Sequence, residues 1–264
     1  MSVHAEKALA DMALALASGA VRVVDLTHRL DPDFPVIILP PEFGQCARFR
    51  MEEVSAYDHR GPAWKWHNIT MNEHTGTHFD APVHWVSGRD VPNGAVDEIA
   101  PENFVGPVVV IDCSEGAAEN DDFELTPDVI DAWEAEHGPI PEGSWVLMRT
   151  DWSKREPIDY LNMEEDGPHS PGPTPEGIKA LLARGIRGFG TETVGTDAGQ
   201  GSHYTPPYPA HYFLHGAGKF GLQCLANLDQ LPATGAILIA APLKIKSGTG
   251  SPLRVLALVP GEAE

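Results

Sequence analysis

The sequence predicts a single compact α/β domain over residues 1–264, with a mixed β-sheet or a small central β-barrel flanked by helices. Short apolar runs rich in β-branched residues recur along the 264 residues, as is typical of buried strands. Helical patterns with their own start signals separate some of these runs. Glycine (26) and proline (24) are abundant, which favours many ordered loops. No low-complexity linker divides the chain, so one large domain is favoured over two.

In chain order, the first predicted element is an amphipathic surface helix over about residues 5–17, which Gly19 ends. Two later helices are predicted from Thr126-Pro127 to about His137 and from Thr174-Pro175 to Gly185, since each begins with Thr at the N-cap and Pro at the first helical position. Six apolar runs bounded by turn residues predict strands. They are Val21 to Leu26, Val105 to Ile111, Trp145 to Arg149, Ile186 to Phe189, Ile237 to Ala241 and Val255 to Val259.

The charge of the chain argues against anionic partners. Lys plus Arg number 18 against 38 Asp plus Glu, a formal net charge of -20. This balance disfavours phosphate backbones and anionic membrane surfaces, so neither nucleic acid nor a membrane is an expected partner.

The three cysteines, Cys46, Cys113 and Cys224, are odd in number and widely spaced, which argues against a disulfide framework and favours a reducing cytoplasm. The apolar stretches are also too short to span a bilayer.

The stretch His74 to His84, with the sequence HTGTHFDAPVH, carries most of the functional signal. It places three imidazoles and one carboxylate within eleven residues. His74, His78 and Asp80 are a set of ligands that suits Zn, Mn or Fe, and three protein ligands leave a position open for water. Histidines without a metal, or a purely structural zinc site, are the alternatives.

The spacing of these ligands also predicts the local backbone. Full extension would separate His74 from Asp80 by about 20 Å, too far for two ligands of one ion. The segment must therefore bend, and Gly76 is the expected point because glycine tolerates strained angles. Pro82 can turn the chain again and bring His84 back over the site. A kinked strand or tight loop is favoured over a helix, because the residues between the histidines are poor helix formers.

The motif HTGTHFDAPVH resembles the metal-binding signature of the cyclase-like amidohydrolases, a family that includes bacterial kynurenine formamidases and isatin hydrolases. The resemblance extends over most of the chain and implies the swivelling β/β/α-like fold of the formamidase-type cyclases. Further matching segments are Val24 to His28, Pro209 to His211, Ala241 to Lys244 and Gly250 to Pro252. Four more look particularly like the isatin hydrolase subgroup: Arg149 to Trp152, Gly167 to Pro175, Gly195 to Gln200 and Ala226 to Asp229.

The resemblance implies roles for individual residues. His74, His78 and Asp80 match the metal ligands, and His84 matches the proton-transfer residue. His211 matches a second-half histidine that faces the same site and contacts the substrate. Formamidases of the family carry a Glu that helps to hold a second metal about a dozen residues later, where this chain offers the neutral Gln223, Cys224 and Ala226. One ion per subunit is therefore expected, Mn²⁺ by the resemblance with Zn²⁺ as the alternative, in a homodimer or larger homo-oligomer.

The expected reaction is hydrolysis of a small aromatic cyclic amide. Metal-bound hydroxide would open the lactam of isatin to isatinate, while His84 moves a proton from water to the departing nitrogen. Apolar walls for the bicyclic ring are expected from four aromatics near the motif: Phe43, Trp64, Trp66 and Trp85. One alternative is an N-formylkynurenine formamidase, or a hydrolase of another small amide or lactone. The other is a non-catalytic metal-binding or small-ligand-binding protein.

Overall fold

The computed structural model of the chain describes residues 3–156 and 159–261. Its helices are α1 (Val3–Ser18), α2 (Ser114–Glu119), α3 (Pro127–His137), α4 (Pro175–Ala183) and α5 (Pro209–Gly216). Its strands are β1 (Val21–Asp25), β2 (Arg50–Asp58), β3 (Gly61–Thr70), β4 (His78–Asp80), β5 (Val105–Asp112), β6 (Glu124–Leu125), β7 (Trp145–Arg149), β8 (Met163–Glu164), β9 (Gly167–Pro168), β10 (Gly172–Pro173), β11 (Gly188–Thr191), β12 (Phe220–Gln223), β13 (Ala236–Ile239), β14 (Gly250–Pro252) and β15 (Leu256–Pro260).

Nine of these strands form one curled sheet in the order β1-β15-β13-β5-β7-β11-β12-β4-β14. The central strands β5, β7, β11 and β12 are parallel to one another. Antiparallel strands continue the sheet on both sides, with β13 beside β5 and β4 beside β12. The sheet is therefore mixed and closes about half of a barrel, which confirms the predicted α/β class.

Both faces of the central strands are buried. On β5, Val108 and Val110 pack into one apolar cluster with Trp145 of β7. Val109 and Ile111 point the other way, into the cluster that the helices cover. Two-sided burial is why these strands read as continuous apolar runs in the sequence, without the polar alternation of a half-exposed sheet.

Both later helices begin where the sequence predicts. The Thr126 hydroxyl accepts a hydrogen bond from the Val129 N–H at the start of α3, and the Thr174 hydroxyl accepts one from the Gly177 N–H at the start of α4. These N-cap bonds satisfy donors that a helix leaves free in its first turn. Helix α4 ends at Ala183, two residues earlier than predicted.

Some strands differ from the prediction. One begins later than predicted, and two were not predicted. The strand predicted at Ile186 begins at Gly188, because pairing to Trp145 starts there. Two longer strands, β2 and β3, were not predicted, because they are largely exposed and carry no buried apolar run. Helix α1 covers the predicted 5–17 range and is almost entirely exposed. Among the described residues, no helix combines the length and the apolar character that crossing a bilayer would need.

Candidate active site

The predicted metal motif bends at Gly76 before it joins the sheet. His74 and Gly76 lie in a turn, and the chain becomes strand β4 at His78. Gly76 has a φ of 67°, and a Cβ atom on it would lie 2.4 Å from Leu30 Cδ2. A side chain would be strained and crowded there, so the bend requires glycine. This geometry confirms the kinked strand that the spacing of the motif predicts.

Strand β4 is held on both sides, which fixes the carboxylate it carries. Gly221 of β12 and Gly250 of β14 both pair with Asp80. A Cβ atom on Gly250 would lie 2.4 Å from His74 Cε1, so this neighbour has to be glycine for the imidazole to reach the carboxylate. A 3-10 turn after β4 returns His84 over the site, with its ring stacked 3.9 Å from the ring of His74.

His74, His78 and Asp80 come together as the motif predicts. Their candidate ligand atoms all lie within 4.8 Å of one another. His74 Nδ1 is 2.7 Å from Asp80 Oδ1, and His78 Nε2 is 3.4 Å from the same oxygen. Asp80 is fully buried and His78 is 3% exposed, so this carboxylate has no access to bulk water.

The hydrogen bonds of the two imidazoles define which nitrogen faces the carboxylate. The Nδ1–H of His78 donates to the Gly76 carbonyl at 2.7 Å, which leaves a lone pair on Nε2. The Thr249 hydroxyl donates to Glu73 Oε2 at 2.7 Å, so its oxygen accepts from His74 Nε2–H at 3.0 Å. In a neutral ring, His74 Nδ1 then presents a lone pair as well.

Two lone pairs therefore converge on one carboxylate oxygen. Such a contact is repulsive unless a cation lies between the groups or one imidazole is protonated. Burial lowers the pKa of His78 to about 4, which favours its neutral form at pH 7. Despite burial, the neighbouring imidazoles of His84 and His78 hold the pKa of Asp80 well below its usual range. Neutral imidazoles around an ionised carboxylate are the donor set that a divalent cation prefers.

Helix α5 supplies the second half of the site. His211 Nε2 lies 3.6 Å from Asp80 Oδ2, and His211 Nδ1 is 2.5 Å from Asp197 Oδ2. Asp197 also accepts hydrogen bonds from the backbone N–H groups of Ala210 and His211, so one carboxylate caps the helix and orients the imidazole. Although burial opposes it, the hydrogen bond that His211 Nδ1–H donates to Asp197 raises the pKa of His211. The structure thus places His211 at the predicted site.

His215 is a member of the cluster that the sequence reading missed. It lies one helical turn after His211 on α5 and is completely buried. Its Nδ1–H donates to the Lys219 carbonyl at 3.2 Å, and its Nε2 has no hydrogen-bond partner among the residues that the structure describes. One of its ring nitrogens lies within 4.8 Å of ligand atoms of Asp80 and His211. The sequence did carry a signal for this residue: His211 and His215 are four residues apart, and residues at this spacing share one face of a helix.

Gln223 closes the site from strand β12. It pairs directly with His78, and its side-chain amide donates to Asp80 Oδ2 and lies 3.4 Å from His211 Nε2. The sequence reading considered this residue only as a neutral replacement for the family's Glu. Its direct contact with the carboxylate follows from the pairing of β4 with β12, which only the fold reveals.

The predicted aromatic residues fall into two groups. The Trp85 ring lies 4.7 Å from the ring of His211 and packs edge-on against Tyr208 at 5.7 Å. Trp64 and Trp66 lie on the β2–β3 hairpin, 6.5 Å apart and about half exposed. Phe43 is also exposed. Trp85 borders the cluster, while a substrate-binding role for the other three stays a prediction.

Comparison with known proteins shows the family of the chain. The sequence profile described as Putative cyclase matches residues 24–198. The chain belongs to the cyclase family. Within it, the chain is 52% identical to an isatin hydrolase of Roseibium aggregatum, over 98% of this chain and 99% of that protein.

Solved structures of cyclase-family members have the same fold. Isatin hydrolase A from Labrenzia aggregata, solved with benzyl benzoate bound, has a TM-score of 0.95 and 81% identity, covering 96% of this chain and 99% of that chain. An isatin hydrolase solved with the product analogue thioisatinate has a TM-score of 0.95 and 52% identity, covering 98% of this chain and 100% of that chain.

Proposed function

We propose that this protein is a metal-dependent hydrolase that opens the cyclic amide of isatin to give isatinate. One observation carries the proposal: imidazole lone pairs of His74 and His78 converge on the buried carboxylate of Asp80. Isatin as substrate is supported by relatives of 52% and 81% identity over nearly the whole chain.

The cofactor of this proposal is one Mn²⁺ per subunit, held by His74, His78 and Asp80. Two imidazole nitrogens and one carboxylate oxygen, with no thiolate, suit this ion. When bound, a divalent cation lowers the pKa of water and polarises a carbonyl group. The hydrogen bonds from His74 to Thr249 and from His78 to Gly76 support the ligands from behind, as is usual for metal-bound histidines.

In this proposal, His84 moves the proton. Its ring stacks on His74 and lies 5.6 Å from the ring of His211, so it faces the space between the two halves of the site. In this position it accepts a proton from the attacking water and returns it to the ring nitrogen when the C–N bond breaks. A neutral imidazole is the form that this role requires.

His211 stabilises the negative charge that develops on the substrate oxygen. The Asp197 carboxylate fixes the orientation of its ring and favours its protonated form. A protonated Nε2 donates a hydrogen bond towards the reacting carbonyl. Trp85, beside His211, supplies an apolar wall for the flat aromatic ring of the substrate.

The same proposal includes a homodimer in a reducing cytoplasm. Exposed apolar side chains concentrate on α1 and on the β2–β3 hairpin, for example Leu9, Leu14, Trp64 and Trp66, which favours coverage by a second copy. All three cysteines are free, which suits a compartment that keeps thiols reduced.

The substrate is tested by following the loss of the visible absorbance of isatin with Mn²⁺-loaded protein, beside N-formylkynurenine. Isatin should be consumed and the formamide should not. Chelation should abolish turnover, and added Mn²⁺ should restore it. If the formamide is hydrolysed and isatin is inert, the substrate assignment is wrong while the metal argument stands. Unchanged turnover after the metal has been stripped would instead refute the metal argument.

The role of His84 is tested by His84→Gln. Loss of an acid–base group typically costs about 10²- to 10⁴-fold in kcat, and we expect a loss in this range with the bound metal retained. His137→Gln on the distant helix α3 is the matched control and should leave both unchanged. A His84→Gln variant with wild-type kcat would exclude His84 as the proton-transfer residue.

A further inference from the structure

Two segments beside the cluster pack closely together. The first is the segment Gly167–Thr174, which includes β9 and β10, and the second is the loop Gly195–Gly201, which supplies Asp197. The Gly199 N–H donates to the Ser170 carbonyl at 2.9 Å. A Cβ atom on Gly172 would lie 2.1 Å from the backbone nitrogen of Ala198. The two backbones are therefore in direct contact, and a shift of one loop has to move the other.

His169 lies at the centre of this contact and is only 14% exposed. Its Nδ1 is 2.6 Å from Asp122 Oδ2, and its Nε2 is 3.0 Å from Asp166 Oδ1. A neutral imidazole has one N–H, so two such carboxylate contacts require the protonated ring. The hydrogen bonds that its N–H groups donate to Asp166, and then to Asp122, raise the pKa of His169 to about 9. Two other titratable groups lie close by. A carboxylate oxygen of Glu164 is within 4.8 Å of a ring nitrogen of His169, and His203 is near Asp166.

The connection from His169 to the active site runs through the second loop. The side-chain amide N–H of Gln200 donates at 3.0 Å to the carbonyl of Pro168, the residue before His169. The Gly199 N–H donates to the carbonyl of Ser170, the residue after His169. Three residues before Gln200 in the same loop, Asp197 holds His211 and caps helix α5. A loop that moves at Gln200 therefore disturbs both the orientation of the imidazole and the start of the helix that carries it.

We propose that His169 is a positioning residue. Its charged ring binds Asp122 and Asp166 and so holds the backbone carbonyls of Pro168 and Ser170, to which the loop Gly195–Gly201 bonds; this keeps Asp197 aligned with His211. This inference rests on the proposed function only for the role of His211 in turnover. The alignment itself is a property of the folded chain, with or without substrate.

The ion pairs of His169 with Asp122 and Asp166 have a defined pH dependence. The folded pKa of His169 is raised above the value of an unfolded histidine, about 6.5. Its contribution to stability is therefore fully present below about pH 6.5 and is lost as the pH rises through about 9. Alignment of Asp197 with His211 should weaken over the same alkaline range.

The test compares His169→Gln, which removes the charge, with His169→Arg, which keeps a charge that does not titrate and can bridge two carboxylates. The readout is the far-downfield NMR signal of the His211 Nδ1–H that bonds to Asp197, recorded on metal-free protein from about pH 7 to 10. The wild-type NMR signal should weaken as the pH approaches about 10. It should be weak at every pH in His169→Gln and persist at every pH in His169→Arg.

Turnover provides the second readout. We expect His169→Gln to lower kcat by about 10- to 100-fold with little change in KM, as is typical of a residue that supports another. His169→Arg should restore most of it, and His137→Gln should match the wild type. A His169→Gln variant with a wild-type NMR signal and kcat across this pH range would overturn the proposal.

If His169→Gln does not fold, Asp122→Asn and Asp166→Asn decide the matter. Each leaves the imidazole in place and lowers its pKa, so the loss of the His211 signal should move to lower pH. An unchanged titration of that signal in both variants would also overturn the proposal. Because the NMR signal needs no substrate, a protein that fails to hydrolyse isatin would refute the proposed function and leave this test intact.

Discussion

The two oxygens of Asp80 face two different halves of the site. Oδ1 faces His74 and His78, which belong to the same short motif, and both present lone pairs. Oδ2 faces His211 and Gln223, which come from the second half of the chain. The pKa of His78 is lowered by burial, while that of His211 is raised by Asp197.

This difference in pKa indicates different chemical roles for the two halves of the site. A buried neutral imidazole is suited to binding a cation, whereas an imidazole paired with a carboxylate is suited to holding a proton. The first half therefore resembles a metal-binding surface and the second half a proton-donating one, with a single carboxylate between them. The predictions below test this division.

The largest effect is expected from Asp80→Asn, because both halves depend on this carboxylate. The substitution removes the charge that compensates the cation and leaves a neutral amide buried among imidazoles. Metal affinity should fall by more than the roughly 10- to 100-fold typical of a supporting residue, with turnover lost in parallel. Metal content and isatin turnover of the purified variant check this. The control is Asp90→Asn on the exposed surface, which should retain both.

Asp197→Asn should affect the second half alone. The amide can still cap α5, but it no longer favours a proton on His211. We expect kcat to fall by about 10- to 100-fold while the bound metal is retained. Asp128→Asn, in the first turn of α3, is the control at another helix start. Loss of the metal in Asp197→Asn would break the division between the halves, because it would make the second half part of the cation site.

Buried His215 predicts an acid-sensitive fold. Burial lowers its pKa to about 4, below the unfolded value of about 6.5. The unfolded chain therefore takes up this proton first, and stability falls as the pH drops from about 6.5 to about 4. For metal-free protein the contribution is at most about 3 kcal/mol.

Denaturant unfolding at several pH values measures this effect. In His215→Gln the free energy of unfolding should depend less steeply on pH over the same window. His59→Gln, at an exposed position on the β2–β3 hairpin, should keep the wild-type slope. Equal slopes in all three proteins would show that His215 does not carry the acid sensitivity.

The smallest effect is expected at the aromatic wall. Trp85→Ala removes a ring that lies against His211, and an aromatic contact is worth about 0.5–1.5 kcal/mol. The KM for isatin should therefore rise by about threefold to tenfold, with a smaller change in kcat. Trp66→Ala, on the hairpin, should have less effect on KM. A larger effect at Trp66 would place the hairpin, and not Trp85, against the substrate.

The part of the site that lies in one short motif could be predicted from the sequence. The candidate ligands His74, His78 and Asp80 and the bend at Gly76 all follow from local chemistry and the reach of the chain. The helix starts at Thr126 and Thr174 were equally accessible, because an N-cap is a local signal.

Long-range arrangements could not be predicted in this way. The contact of Gln223 with Asp80 depends on the register between β4 and β12, and the contact of Asp197 with His211 depends on a loop folding back onto a helix start. His215 carried a local signal, its spacing from His211, but the short helix gave little reason to look for it.

The sequence by itself determined which groups are available for the chemistry of this protein: a candidate set of nitrogen and oxygen ligands, and a further histidine close by in the chain. These depend on residue type and on separations of a few residues, over which the backbone allows few conformations. Only the tertiary structure decided which distant groups tune that chemistry. Burial and hydrogen-bond partners set the pKa values of His78, His211 and His215, and both arise from the way strands and helices pack.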